Sequence, residues 1–154
     1  MECCSTNKST IQQKEVFNNA CISCKKISQK IQYKTILMML KYQQIKTAKI
    51  DEYFYCTNPN CDVVYFSNQY RLVFYKEDIR IRIGIKETEE PKTVCYCFDI
   101  TKKQITDELK LTGKSSITNF ITEKIQNKLC ACNIKNPSGK CCLGKIKELV
   151  NSNI

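Results

Sequence analysis

The residues of this sequence best equipped for chemistry are its cysteines, and their spacing sorts them into two sets. Cys21 and Cys24 form a C-x2-C pair, and Cys56 and Cys61 form a C-x4-C pair about thirty residues later. A tight turn points two thiolates the same way, and two such turns complete a tetrahedron around zinc with Zn–S bonds of about 2.3 Å. Four protein ligands leave no open position for a reacting water, so this spacing predicts a structural metal site. The second set begins with the C-x-C pair Cys95 and Cys97. It continues in the run CACNIKNPSGKCC, which carries Cys130, Cys132, Cys141 and Cys142.

Composition narrows what these thiols can be. Twelve cysteines in 154 residues would suit a disulfide framework in a secreted protein. Adjacent and once-spaced cysteines are poor disulfide partners, however, because the bridge strains across so few bonds. The stretch MECCSTNKSTIQQK shows no apolar signal-peptide core, and ILMML is too short to cross a bilayer. The expectation is therefore a reduced, cytoplasmic protein without membrane insertion whose thiolates hold metal. The sequence has no histidine, which excludes Cys2His2 zinc sites, Rieske-type clusters and histidine-based nucleophiles or proton shuttles. No acid, base or nucleophile constellation points to an enzyme. The formal charge of +10 counts cysteines as neutral. Two four-thiolate sites of charge −2 each would lower +10 to about +6, so the lysines read as a solvated surface, with no specific nucleic acid as partner.

The elements that must position these thiols follow from pattern. Residues 1–18 are polar and aperiodic and read as a mobile tail. ILMMLK is a short buried helix or strand. EYFYC and CDVVYF flank the turn-forming TNPN and read as strands. IRIRIGI alternates strictly, which predicts a strand with Ile79, Ile81, Ile83 and Ile85 on one face and Arg80 and Arg82 on a wet one. The charged, proline-bearing stretch KETEEPKT marks a domain boundary. Beyond it Thr101 and Gln104 form a capping box for a helix to about Leu109. Ser115 or Ser116 caps a second helix with Ile117, Phe120, Ile121, Ile125 and Leu129 on one stripe, and a third follows Cys142 with Leu143, Ile146 and Val150 inward. Each loop of the second thiol set thus abuts a helix N-terminus, where the dipole and free N–H groups favour an anionic cluster. The C-x4-C-x2-C run of plant-type ferredoxins is absent.

The first set resembles a zinc ribbon or knuckle, whose usual second loop is C-x2-C. The second set, a C-x-C, two helices, then cysteines leading into a final helix, resembles the 2Fe–2S domain of bacterioferritin-associated ferredoxin (BFD). That module also occurs in NifU-type proteins. That family usually closes with C-x2-C; this chain has CACNIKNPSGKCCLG instead. Taken with CISC, YFYCTNPNCDVVYF, KEDIRIRIGIKE and VCYCF, it is similar over residues 19–150 to the N-terminal region of CopZ-type copper chaperones.

The resemblance implies an α+β chain of three parts: an N-terminal tail (1–18), a small β-rich zinc module (19–92) and a three-helix BFD-like 2Fe–2S module (93–154). By motif it gives zinc to Cys21, Cys24, Cys56 and Cys61, and the cluster to Cys95, Cys97, Cys130 and Cys141. Cys132 and Cys142 are within a loop's reach as alternatives to Cys141. It also implies electron transfer linked to the handling of copper or another soft metal, with a metal-handling protein and an electron donor as partners and Cu(II) reduced to Cu(I). The M-x-C-x-x-C motif of a copper-binding domain is not found in this sequence, and Cys3 and Cys4 offer only a loose soft-ion site.

Overall fold

A computed structural model describes residues 19–152. Cys3 and Cys4 lie outside the described residues. The chain runs β1 (Gln29–Ile31), α1 (Tyr33–Met39), α2 (Tyr42–Ile45), β2 (Tyr53–Tyr55), β3 (Val63–Ser67) and β4 (Leu72–Tyr75), then β5 (Thr93–Cys95) and β6 (Ile100–Thr101). Four helices complete it: α3 (Lys102–Thr112), α4 (Ile117–Gln126), α5 (Cys132–Lys135) and α6 (Leu143–Asn151). This is a mixed α and β fold whose N-terminal half is built on a sheet.

Strands β1 to β4 form an antiparallel meander in sequence order. β2 and β3 are buried along their whole length, which is why both read as nearly continuous apolar and aromatic runs. Their two faces have different tasks. Tyr53, Tyr55 and Tyr65 pack with Ile36, Leu40 and Phe74 on the side of α1. Phe54, Val63 and Phe66 pack around Cys21, Cys56 and Cys61 on the other. Phe54 and Phe66 are cross-strand partners with stacked rings 5.5 Å apart, so the first thiol set rests on an aromatic floor.

The expected strand over Ile79–Ile85 does not form. Ile79 makes one isolated bridge to Leu40, and Gly84–Lys86 closes a 3-10 turn. Ile79 and Ile83 are buried while Ile85 is exposed, so the alternation stops at the glycine. A Cβ at Gly84 would lie 2.0 Å from the Thr93 carbonyl oxygen, and glycine is the residue that permits this approach. Arg80 stays exposed as expected, but its guanidinium is engaged. Its Nε and one Nη donate to the carbonyls of Leu40 and Leu37 at 3.1 and 3.2 Å and satisfy the otherwise open C-terminal end of α1.

The C-terminal helices have their own core of Ile105, Leu109, Ile121 and Ile146. The capping box of α3 forms as the sequence indicates, with Thr101 Oγ1 accepting from the Gln104 N–H and Gln104 Oε1 from the Thr101 N–H. On α4, Glu108 does much of the capping. Its carboxylate accepts from the Ser116 N–H and from the hydroxyls of Ser115 and Ser116. Phe120 and Leu129 stay exposed, so only Ile117, Ile121 and Ile125 of the expected stripe turn inward.

Candidate metal centres

The first thiol set is assembled from two turns closed by their own backbones. The Cys21 N–H donates to the Lys26 carbonyl at 2.8 Å and the Lys25 N–H to the Cys21 carbonyl at 3.0 Å, with Lys25 in the left-handed region. Cys56 continues the β2–β3 ladder through its N–H to Val64, and the chain then turns on Asn58. The Asn58 carbonyl accepts from the Cys61 N–H and its side chain from the Asn60 N–H. The result brings Cys21 and Cys61 Sγ to 3.9 Å and Cys24 and Cys56 Sγ to 3.6 Å. All four sulfurs lie within 4.8 Å of one another. A tetrahedron with Zn–S bonds of about 2.3 Å has edges of about 3.8 Å, so the donor set fits zinc in both element and size.

Burial pushes the Cys56 thiol up to about 12 and raises Cys21. At Cys24 burial opposes ionisation too, but hydrogen bonds from the Asn58 side chain, the Lys26 backbone and the neighbouring thiols outweigh it and bring the value to about 6. Metal binding here displaces protons from Cys21 and Cys56. Lys86 sits beneath the second turn with its Nζ donating to the carbonyls of Asn58 and Cys61, each at 2.8 Å. It is 3% exposed. Burial lowers its pKa against the opposing pull of the four cysteines. The alternating IRIRIGIK pattern gave no sign that this lysine turns inward.

The second set has a different shape. Cys95 and Cys97 lie on the short hairpin of β5 and β6, with Asp99 in the left-handed region at its turn. Cys97 Sγ lies 3.7 Å from Cys132 Sγ and accepts the Ala131 N–H at 3.3 Å. Cys95 and Cys142 are buried in one cluster. Their interaction is the main reason Cys95 falls to about 6 while Cys142 is pushed far up. Burial, then Cys97, raises Cys132 to about 12. The thiols that meet Cys95 and Cys97 are thus Cys142 and Cys132. Of the other two expected ligands, Cys130 is half-buried and Cys141 is exposed.

The loop that brings Cys132 and Cys142 to the hairpin is held from outside. Thr35 Oγ1 donates to the Asn133 carbonyl and Tyr65 Oη to the Pro137 carbonyl, both at 2.6 Å. Gln29 Nε2 donates to the Ser138 carbonyl at 2.8 Å. Gly139, at φ 66°, lets the loop pass close over Thr35 and Ile31. A residue from each of β1, α1 and β3 therefore positions the second thiol set.

Comparison with known proteins agrees with this geometry. A family model described as a zinc binding domain, of the CopZ type, matches residues 18–80. The copper chaperone CopZ of Archaeoglobus fulgidus is 38% identical over 98 residues, which is 64% of this chain and 46% of that protein. The chain thus spans about half the length of this curated relative. The X-ray structure of the Archaeoglobus fulgidus CopZ N-terminal domain superposes with a TM-score of 0.70 at 31% identity, covering 84% of this chain and 95% of that one. With the four-thiolate centre inside the matched region, the chain belongs to the CopZ family and carries its zinc-binding domain.

Proposed function

We propose that this chain takes part in copper handling with two thiolate centres of different duty. Zinc at Cys21, Cys24, Cys56 and Cys61 holds the sheet, and a 2Fe–2S cluster at the second set exchanges electrons. The observation that supports the second duty is the pairing of the thiols. Four ligands of one ion crowd together mutually, as the first set does. The second set places Cys97 beside Cys132 and buries Cys95 in one cluster with Cys142, which suits a binuclear cluster taking two thiolates on each iron. On this reading Cys132 and Cys142 take the places expected of Cys130 and Cys141, because they are the thiols turned toward the hairpin.

Such a cluster supplies reversible one-electron chemistry when bound. The chain supplies the shell that tunes it. The Ala131 N–H already points at Cys97 Sγ, and the first turn of α6 starts beside Cys142. The substrate in this reading is Cu(II), which takes one electron from an external one-electron donor and becomes Cu(I), an ion that prefers soft thiolates. Cys130 and Cys141, left at the rim, are the thiols open to receive it before a copper-binding partner does. The protein is then a carrier rather than an enzyme and works in a reducing cytoplasm. Among the described residues no helix is long and apolar enough to cross a membrane.

The test is anaerobic, iron-replete expression followed by metal and sulfide analysis. About one zinc, two irons and two sulfides per chain are expected, in a reddish-brown protein that dithionite bleaches. Cu(II) added to the reduced, desalted protein should reoxidise it with matching Cu(I) captured by a chelator. Colourless protein with two zincs would replace the electron-carrying reading with a structural scaffold.

A further inference from the structure

Lys86 is the only buried charged side chain among the described residues. Its segment offers it acidic neighbours, Glu87, Glu89 and Glu90, yet the side chain turns the other way, under the loop that joins Cys56 to Cys61. No ion pair among the described residues includes it. Both of its acceptors are neutral carbonyls. A buried ammonium with hydrogen bonds but no counter-charge is costly. The charges that act on it are those of the four cysteines of the centre itself. Four thiolates on a dication sum to −2, and the carbonyls that Lys86 grips belong to Asn58, on which the loop turns, and to the ligand Cys61.

The backbone leaves Lys86 little freedom to be elsewhere. Its N–H closes the 3-10 turn onto the Ile83 carbonyl at 2.7 Å, and two residues earlier Gly84 is wedged against Thr93. The Gly84 N–H is fixed in turn by Tyr96 Oη at 2.8 Å, and Tyr96 lies between Cys95 and Cys97. The segment that carries the ammonium is thus clamped from the C-x-C hairpin on one side and holds the zinc loop on the other.

We propose that Lys86 is a positioning residue of the four-thiolate centre: a counter-ion built into the fold, whose ammonium offsets the double negative charge of the loaded site while its two hydrogen bonds hold the Cys56–Cys61 loop in ligating shape. The inference rests on zinc at the first set and is independent of what the second set holds. It makes a prediction of opposite signs that a packing role does not. With metal present the ammonium is compensated; without metal its only hydrogen-bond acceptors are neutral carbonyls, and the buried charge is a burden.

The experiment compares wild type with Lys86→Met, which keeps the length and loses the charge, and Lys86→Gln, which also keeps a hydrogen-bond donor. Zinc affinity is read by competition with a chromophoric chelator, and thermal midpoints are taken with zinc and after chelator treatment. Both variants should bind zinc at least about tenfold more weakly, the size usual for loss of a group supporting metal ligands. Their metal-free forms should melt no lower than wild type. Affinity within threefold of wild type in either variant would overturn the proposal. So would an equal fall in thermal midpoint with and without zinc, which marks simple packing. If the Met variant does not fold, the Gln variant alone decides by the same thresholds.

Discussion

The two thiol sets use the same donor atom and differ in what assembles them. Cys21 and Cys24 are set by hydrogen bonds that begin and end within a few residues of the cysteines, and Cys56 and Cys61 are set by such bonds together with the two from Lys86. Between Cys132 and Cys142, by contrast, the loop is held by Thr35, Tyr65 and Gln29 from 72 to 109 residues away in the chain. The first site is therefore built largely by the segment that carries it. The second leans on the N-terminal half, since residues of β1, α1 and β3 hold its loop. Dependence should run one way.

The largest effect breaks the comparison at its base. Cys56→Ser or Cys61→Ser should abolish tight zinc binding, and because such binding is of order 10 kcal/mol of folding energy in small zinc modules, the sheet should unfold with it. The second site should then be lost as well. Cys97→Ser should remove iron and leave zinc in place. Metal analysis of the purified variants checks both, and zinc retained by Cys56→Ser, or lost from Cys97→Ser, would reverse the proposed order of dependence.

Next in size is the choice of cluster ligands. Cys132→Ser and Cys142→Ser should each strip or strongly alter the visible spectrum of the iron-loaded protein, whereas Cys141→Ser and Cys130→Ser should leave it close to wild type. The exposed Cys141 and the buried Cys142 are neighbours at the start of α6, and it is Cys142 that shares a buried cluster with Cys95. A spectrum that survives Cys142→Ser but not Cys141→Ser would restore the ligand set expected from the sequence.

That contrast also marks what could be read from the sequence. The zinc ligands were legible because a local turn dictates their spacing, and α3, α4 and α6 were legible because caps and stripes are local too. The Thr101–Gln104 box is a case in which sequence and structure coincide atom for atom. The strand over IRIRIGI was misread because alternation records burial on one side, and a bridge followed by a 3-10 turn can bury Ile79 and Ile83 equally well. β1 and β4 went unseen because each is three or four residues long and takes its identity from its neighbours in the sheet. The pairing of Cys95 with Cys142 was open for the same reason: which of two adjacent thiols turns inward depends on how a loop docks against Tyr65 and Thr35.

The loop contacts themselves come next. Tyr65→Phe leaves the buried Pro137 carbonyl without its donor, and Thr35→Val does the same to Asn133; each should cost about 1–3 kcal/mol. The loss should be selective. Iron should leave these variants faster under chelator challenge, while zinc is retained as in wild type. Equal loss of both metals would mean that the two sites stand or fall as one body rather than one upon the other.

The smallest effect involves neither thiol set. Glu108 accepts from the Ser116 hydroxyl at 2.6 Å and its N–H at 3.0 Å, and these bonds, with Ser115, hold its carboxyl below the usual range despite some desolvation. A carboxylate whose folded pKa lies below its unfolded value of about 4.3 contributes stability that is fully present above that pH and is lost as pH falls through the folded value. Glu108→Gln should therefore lower stability at pH 7 by no more than about 1 kcal/mol, the scale of a lost helix cap, and by progressively less toward pH 3. Zinc is also shed on acidification as the thiolates take up protons. The quantity to measure is accordingly the difference between variant and wild type in denaturant midpoint at each pH, with zinc content matched. A difference that does not shrink on acidification would show that Glu108 holds the α3–α4 turn by shape rather than by charge.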